Sequence, residues 1–401
     1  MALPLFAITL FVSAFLLFLV QPMIGKMILP KLGGTPQVWN TCMMFFQTVL
    51  LIGYGYSHTV STRLSLKKQL IVHGLFLLVP LLFLIPNGPF NITGWVPPTE
   101  DNPIPSTLLL LGMVVGIPFL VVSTSAPLLQ RWFSYTGHPA AKDPYFLYAA
   151  SNLGSLLALV CYPFLVEPMF VLNTQAWIWL GGYLALMALV AVCVANVWNT
   201  PPQVQLADMP PDVGAGEASP APPPVRETST AIQPASALRG VSRKKGAKLA
   251  AAEAAQELAF RPAQPRPDVM TWGRRIRWIL LAAVPSSLML GVTSYASVDL
   301  SPFPLLWVIP LALYLLSFIL VYSKWPLPWT ETPHLIMIFV APLALLGMCY
   351  IILLRAQNPG WVFGAFFLFF LVACLCHGEL AKDRPTPKHL TEYFLMMSVG
   401  G

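Results

Sequence analysis

Charge is what this sequence has least of. Only 10% of its 401 residues are Asp, Glu, Lys or Arg, where a soluble chain carries about a quarter, so water cannot solvate it as an ordinary globular domain. Cysteine is sparse as well. The six present (Cys42, Cys161, Cys193, Cys349, Cys374 and Cys376) lie within or at the ends of apolar stretches. That argues against a disulfide framework or metal role and reads as buried free thiols. The usual catalytic signatures are missing too: there is no P-loop, no GxGxxG, no HExxH and no GxSxG, and the histidines are scattered. No catalytic residue, cofactor site or metal site is therefore assigned, and His377-Gly-Glu379 reads as an interfacial turn. The net charge of +7 falls on no soluble module with interleaved aromatics, so nucleic acid is not an expected partner.

What the sequence has is apolar surface: 56% hydrophobic residues and a mean hydropathy of +0.69. The apolar residues arrive in runs of roughly 20, the length that carries a helix across about 30 Å of hydrocarbon. The runs are continuous rather than alternating, which favours helices over a barrel. The pattern predicts an all-α, polytopic membrane bundle with the lipid bilayer as its partner. About ten spans fall near residues 3–26, 38–57, 69–85, 106–129, 145–166, 176–197, 277–298, 304–322, 333–354 and 360–377, and an eleventh begins near Leu390. Three regions follow: a six-helix bundle over 1–197, a linker over 198–271 and a second bundle over 272–401.

Basic residues give the orientation, because cytoplasmic loops hold an excess of Lys and Arg. With the N-terminus in the cytoplasm, every one of the 23 Lys and Arg residues except Lys26, Lys31 and Arg355 falls on the cytoplasmic side. The expected location is the inner membrane, multi-pass, with the linker cytoplasmic. That linker is rich in Pro, Ala, Ser and Glu and has no apolar periodicity, which reads as disorder. A short helix over 248–260 is compatible with its composition.

Polar side chains inside spans are costly, so their spacing is informative. Tyr145, Tyr148, Asn152 and Ser155 recur along one face of the fifth span, with Ser151 alongside. Asn40, Gln47 and Tyr54 recur at sevens in the second. Ser286, Thr293 and Ser297 form a stripe in the seventh. Two readings fit: interhelical hydrogen bonding at close contacts, or a polar cavity. Lys26, Glu167 and Asp299 end the first, fifth and seventh spans on the same side, and Lys26 is expected to pair with one of the two carboxylates across an outward-facing vestibule; simple snorkelling is the alternative. Prolines in or beside spans (Pro22, Pro80, Pro118, Pro127, Pro163, Pro285, Pro310 and Pro342) are expected to kink or break them.

Four stretches resemble one family: residues 20–48 (VQPMIGKMILPKLGGTPQVWNTCMMFFQT), 125–155 (SAPLLQRWFSYTGHPAAKDPYFLYAASNLGS), 299–324 (DLSPFPLLWVIPLALYLLSFILVYSK) and 376–401 (CHGELAKDRPTPKHLTEYFLMMSVGG). They are similar to the membrane domain of bacterial fused proteins in which a major-facilitator-like bundle precedes a spermidine-synthase-like domain. The resemblance implies two bundles of six and four or more helices, and a C-terminal aminopropyltransferase-like domain of polyamine biosynthesis. This chain carries none of that domain's residues and stops about ten residues into an apolar run, so it is expected to be a noncatalytic membrane module that anchors or feeds such a domain in cis or in trans. The alternative is a transporter or channel for a small cation such as a polyamine. A third reading is a scaffold whose linker recruits a cytoplasmic partner.

Overall fold

A computed structural model describes residues 2–32, 36–86, 88–92, 95, 102–199, 269–299, 308–323, 331–353 and 359–401. The linker and its expected 248–260 helix lie outside the described residues. Every described secondary-structure element is helical. In chain order the helices are α1 (Ala2–Leu32), α2 (Pro36–Arg63), α3 (Leu66–Leu84), α4 (Pro103–Phe133), α5 (Pro144–Met169), α6 (Leu172–Val197), α7 (Trp272–Asp299), α8 (Val308–Tyr322), α9 (Glu331–Leu353), α10 (Pro359–Lys382) and α11 (Leu390–Gly400). Each expected span has its counterpart. Among the described residues, α1, α3, α4, α5, α6, α7 and α10 are long and apolar enough to cross a membrane, and α8 and α9 carry shorter apolar cores. The more polar α2 has 28 residues, about 42 Å of helix at 1.5 Å per residue, and it packs against α4, α1 and α11.

The prolines act in two ways. Pro22, Pro30, Pro285 and Pro342 sit inside helices that continue past them. Elsewhere the backbone yields. Pro80 separates the two pieces of α3, and π-helical turns occupy Gly112–Gly116 and Tyr162–Val166, beside Pro118 and around Pro163. A proline ring collides with the carbonyl four residues back, and a widened turn removes that collision without ending the helix.

The described residues from α1 through α6 and from α7 through α11 belong to one compact unit. Within it α1 packs along α5, α6 and α4; α8 lies on α5; α7 is held by α10 and α11; and α11 lies on α2. Gly154 sets the α1–α5 distance, because a Cβ there would collide with the backbone carbonyl of Phe11. Gly400 does the same for α11 against Ile279 of α7. Small residues at crossings let helices touch where lipid gives no hydrophobic drive between them. One continuous core fills the first six helices, with Trp132, Trp179 and Tyr183 fully buried. Each of these rings also finds an acceptor: Trp132 Nε1 donates to Gln69 Oε1 at 3.1 Å, Trp179 Nε1 to the Leu16 carbonyl at 2.9 Å and the Tyr183 hydroxyl to the Leu77 carbonyl at 2.7 Å. Outward-facing Leu75, Leu82, Leu109, Leu343 and Phe339 are exposed. An exterior this apolar is suited to hydrocarbon, not water.

Candidate functional site

A cavity of about 160 Å³ opens between the first six helices and the last five. Ser13 of α1, Gln47 and Tyr54 of α2, Ser123 of α4, Ser286 of α7, Tyr314 and Phe318 of α8, and Phe394 and Ser398 of α11 line it, together with Tyr148, Ser151, Asn152 and Ser155 of α5. The α5 stripe faces inward because those positions return every three or four residues to one face. Tyr148 forms the centre of the aromatic wall. Its ring lies 5.2 Å from Phe318, 5.3 Å from Tyr322 and 5.0 Å from Phe394, the last in a tilted arrangement. Ser286 and Tyr314 stand with their oxygens 3.1 Å apart. Asn152 donates to the Tyr148 carbonyl at 2.8 Å through Nδ2, and its side chain also meets the Tyr148 hydroxyl.

Among the described residues that line the cavity, none is Asp, Glu, Lys, Arg or His. An unpaired charge buried in such a site costs several kcal/mol, whereas a cation held over an aromatic face regains only about 0.5–2 kcal/mol. The arrangement therefore suits hydrogen bonding and ring contact rather than charge pairing.

Of the candidate site residues, Gln47, Tyr148, Asn152, Ser155 and Ser286 meet at this cavity. Lys26 and Glu167 pair with each other elsewhere, at the end of the bundle formed by the C-terminal turns of α1 and α5. Both are half-exposed and border an open depression with Pro30, Met169 and Phe170. Asn40 lies exposed on α2 away from the cavity. Thr293 bonds to the Met289 carbonyl of its own helix at 2.7 Å. Tyr145 is buried against Tyr393 and Phe394. The side chains of Ser297 and Asp299 lie outside the described residues. Ser13, Ser123, Tyr314 and Ser398 line the cavity although their spacing gave no signal.

The opposite end of the bundle is closed by charges that sequence reading left unpaired. Arg274 of α7 bonds to Asp383 Oδ1 at 2.9 Å, and Trp278 Nε1 donates to Asp383 Oδ2 at 3.0 Å. Arg277 pairs with Glu379, and Arg275 with Glu392 at 2.6 Å. Contacts also cross between the halves here. Arg384 reaches Asp143 at 2.9 Å, Arg131 donates to the Pro387 carbonyl, and Ser61 and Thr391 stand 2.8 Å apart. Glu392 sits in the first turn of α11, at this charged end. The hydrogen bond from His389 and the Arg275 guanidinium hold its carboxyl down at about 2. His377, read from sequence as part of a turn, remains inside α10. It is fully buried, stacked on Phe318 with centroids 3.5 Å apart, and its Nδ1 is 2.7 Å from Ser317 Oγ. No group of three or more potential metal ligands occurs among the described residues.

No known protein family and no curated protein matches this chain. Solved structures do. The proton:xylose symporter XylE of the major facilitator superfamily, bound to 6-bromo-6-deoxy-D-glucose, aligns with a TM-score of 0.50 at 12% identity, covering 99% of this chain and 85% of the symporter. A partially occluded inward-open form of XylE from E. coli gives a TM-score of 0.46 at 12% identity over 99% and 88% of the two chains. A bacterial homologue of the human peptide transporters PepT1 and PepT2 gives 0.36 at 11% over 99% and 94%. The likeness to the first of these shows a major-facilitator-like, all-α fold, and the long apolar helices make it a multi-pass membrane bundle.

Proposed function

We propose that this chain is a transporter that moves a small solute through the cavity between its two helical halves by alternating access. The observation that carries the reading is the cavity lined by hydroxyls, amides and aromatic rings from helices of both halves, in a bundle whose charged end is crossed between the halves by hydrogen bonds and an ion pair. A solute site between two halves is the arrangement that rocking of one half against the other requires. The fold likeness supports this assignment by analogy. Both lines of support favour it over a noncatalytic anchor for a synthase-like domain, the reading that the sequence resemblance implies.

In this reading the charged end faces the cytoplasm, as the distribution of Lys and Arg requires, and the chain sits in the inner membrane with its N-terminus and the 198–271 linker inside. The Lys26–Glu167 end faces outward. Bundles 1–197 and 272–401 are the two moving bodies.

Flux tests the proposal. Proteoliposomes containing the full chain are given a defined mixture of neutral, cationic and anionic metabolites, and lumenal contents are read by mass spectrometry. At least one solute is expected to enter faster than in protein-free vesicles, and Gln47→Leu with Asn152→Leu is expected to slow it at least tenfold. Equal accumulation in both kinds of vesicle for every solute contradicts the proposal.

A further inference from the structure

The chemistry of the cavity wall says what kind of solute fits, an inference that rests on the transporter reading. We infer that the central cavity takes a small uncharged solute that combines hydrogen-bonding groups with an apolar ring face, and that it rejects amines and carboxylates carrying full charge.

Two observations carry this. The first is the inventory of polar groups. Gln47 places a primary amide in the wall, with two donors and an acceptor, and Tyr54 a hydroxyl; the Asn152 amide with the Tyr148 hydroxyl, and Ser286 with the Tyr314 hydroxyl, add two hydrogen-bonded pairs that retain further donor and acceptor capacity. These groups both give and accept hydrogen bonds, which matches hydroxyls and amides on a neutral molecule. A fully ionised ammonium can only donate and a carboxylate can only accept, so either would leave half of the wall unsatisfied. The second observation is that the described residues of the wall carry no counter-charge. The ion pair at the outer end, Lys26 with Glu167, is self-neutralised and lines a different depression. The pairs at the other end, such as Arg274 with Asp383 and Arg275 with Glu392, are likewise internally compensated and absent from the cavity wall.

The aromatic surfaces complete the class. Tyr148, Phe318 and Phe394 converge from three helices of both halves. A solute gripped by them gains contact area only if part of its surface is apolar, and it touches both halves at once. That second property ties recognition to movement: a ligand held by α5 together with α8 and α11 has different contacts when the halves rock apart. A polyamine has apolar methylene segments, but its multiple ammonium charges find no counter-charge among the described residues of the wall.

The test uses the purified full chain in detergent, with thermal midpoint as the readout and each compound titrated separately: D-xylose, myo-inositol and uridine as neutral probes, and putrescine, spermidine and succinate as charged ones. At least one neutral probe is expected to raise the midpoint saturably. Its half-saturating concentration is expected to rise at least tenfold in Gln47→Leu and in Asn152→Leu, provided the ligand-free midpoint of each variant stays within a few degrees of the parent. Stabilisation by spermidine, putrescine or succinate that those substitutions weaken overturns the inference, and so does failure of all three neutral probes. Flux of a charged solute in proteoliposomes, blocked by the same substitutions, would remove the solute class while leaving the transporter reading in place.

Discussion

Tyr148 of α5 meets Phe318 of α8 edge-on, with ring centroids 5.2 Å apart and planes at 80°. This contact joins the two halves at the wall of the cavity, and edge-to-face pairs of this kind contribute about 0.5–1.5 kcal/mol beyond their buried area. Its place at the junction makes it a part of both stability and solute recognition. Tyr148→Leu is expected to lower the thermal midpoint modestly and to weaken solute binding more than tenfold. Phe318→Leu is expected to affect both in the same direction. Unchanged binding in both variants would separate the aromatic wall from the solute.

Close helix approach gives a sharper stability contrast. At Gly154 any Cβ meets the Phe11 carbonyl, whereas at Gly181 there is nothing within 4 Å. Gly154→Ala is therefore expected to push α1 from α5 and cost about 1–3 kcal/mol. Gly181→Ala is expected to be neutral or slightly stabilising, by up to about 1 kcal/mol, because alanine is the better helix former. Thermal or chemical unfolding in detergent compares the two directly.

Tyr183→Phe removes one hydrogen bond, the 2.7 Å donation to the Leu77 carbonyl, and leaves the stacking on Trp179. The expected loss is about 0.6–1 kcal/mol, the range for a single bond between membrane helices. Trp179→Phe removes the bond to Leu16 and also part of the core, so its loss is expected to be larger.

How far the sequence announced this structure depends on the physical range of each signal. The helices were legible because a 20-residue apolar run is a local property with one solution in lipid. On α5, the positions Tyr148, Asn152 and Ser155 were legible as a face and do line the cavity. Tyr145 shared their spacing but packs against Tyr393 instead, because Pro144–Phe146 is a 3-10 turn and the α-helical stretch begins at Leu147. A tighter turn rotates that side chain off the helical face. On α2, Gln47 and Tyr54 point inward, while Asn40 lies two turns nearer the helix start, away from the cavity. Ser13, Ser123 and Ser398 were illegible because a lone hydroxyl in an apolar run has no period. The Arg275–Glu392 pair was illegible because 117 residues separate its members, and only the fold brings α7 to α11.

That pair governs the response to acid. The Glu392 carboxyl is held down from 4.5 to about 2 by His389 and Arg275. A carboxyl whose folded value lies below its unfolded one contributes stability that is present above about 4.5 and is lost as pH falls toward 2. The thermal midpoint is expected to drop across that window, and Glu392→Gln is expected to flatten the drop while costing about 1–3 kcal/mol near neutrality, as for a charged hydrogen bond with little solvent exposure. The Lys26–Glu167 pair is half-exposed, so Glu167→Gln is expected to change stability by less than about 1 kcal/mol.

Alternating access is the central claim, and distances at the two ends test it most directly. With the six native cysteines replaced, spin labels at Lys68→Cys and Lys388→Cys report the charged end, and labels at Met169→Cys and Leu353→Cys report the Lys26–Glu167 end; all four positions are exposed. In lipid nanodiscs, double electron–electron resonance is expected to give two populations for each pair, with the short distance at one end rising as the short distance at the other falls when a binding solute is added. A single unchanging distance at both ends, in the presence of a solute that binds the cavity, would contradict the account.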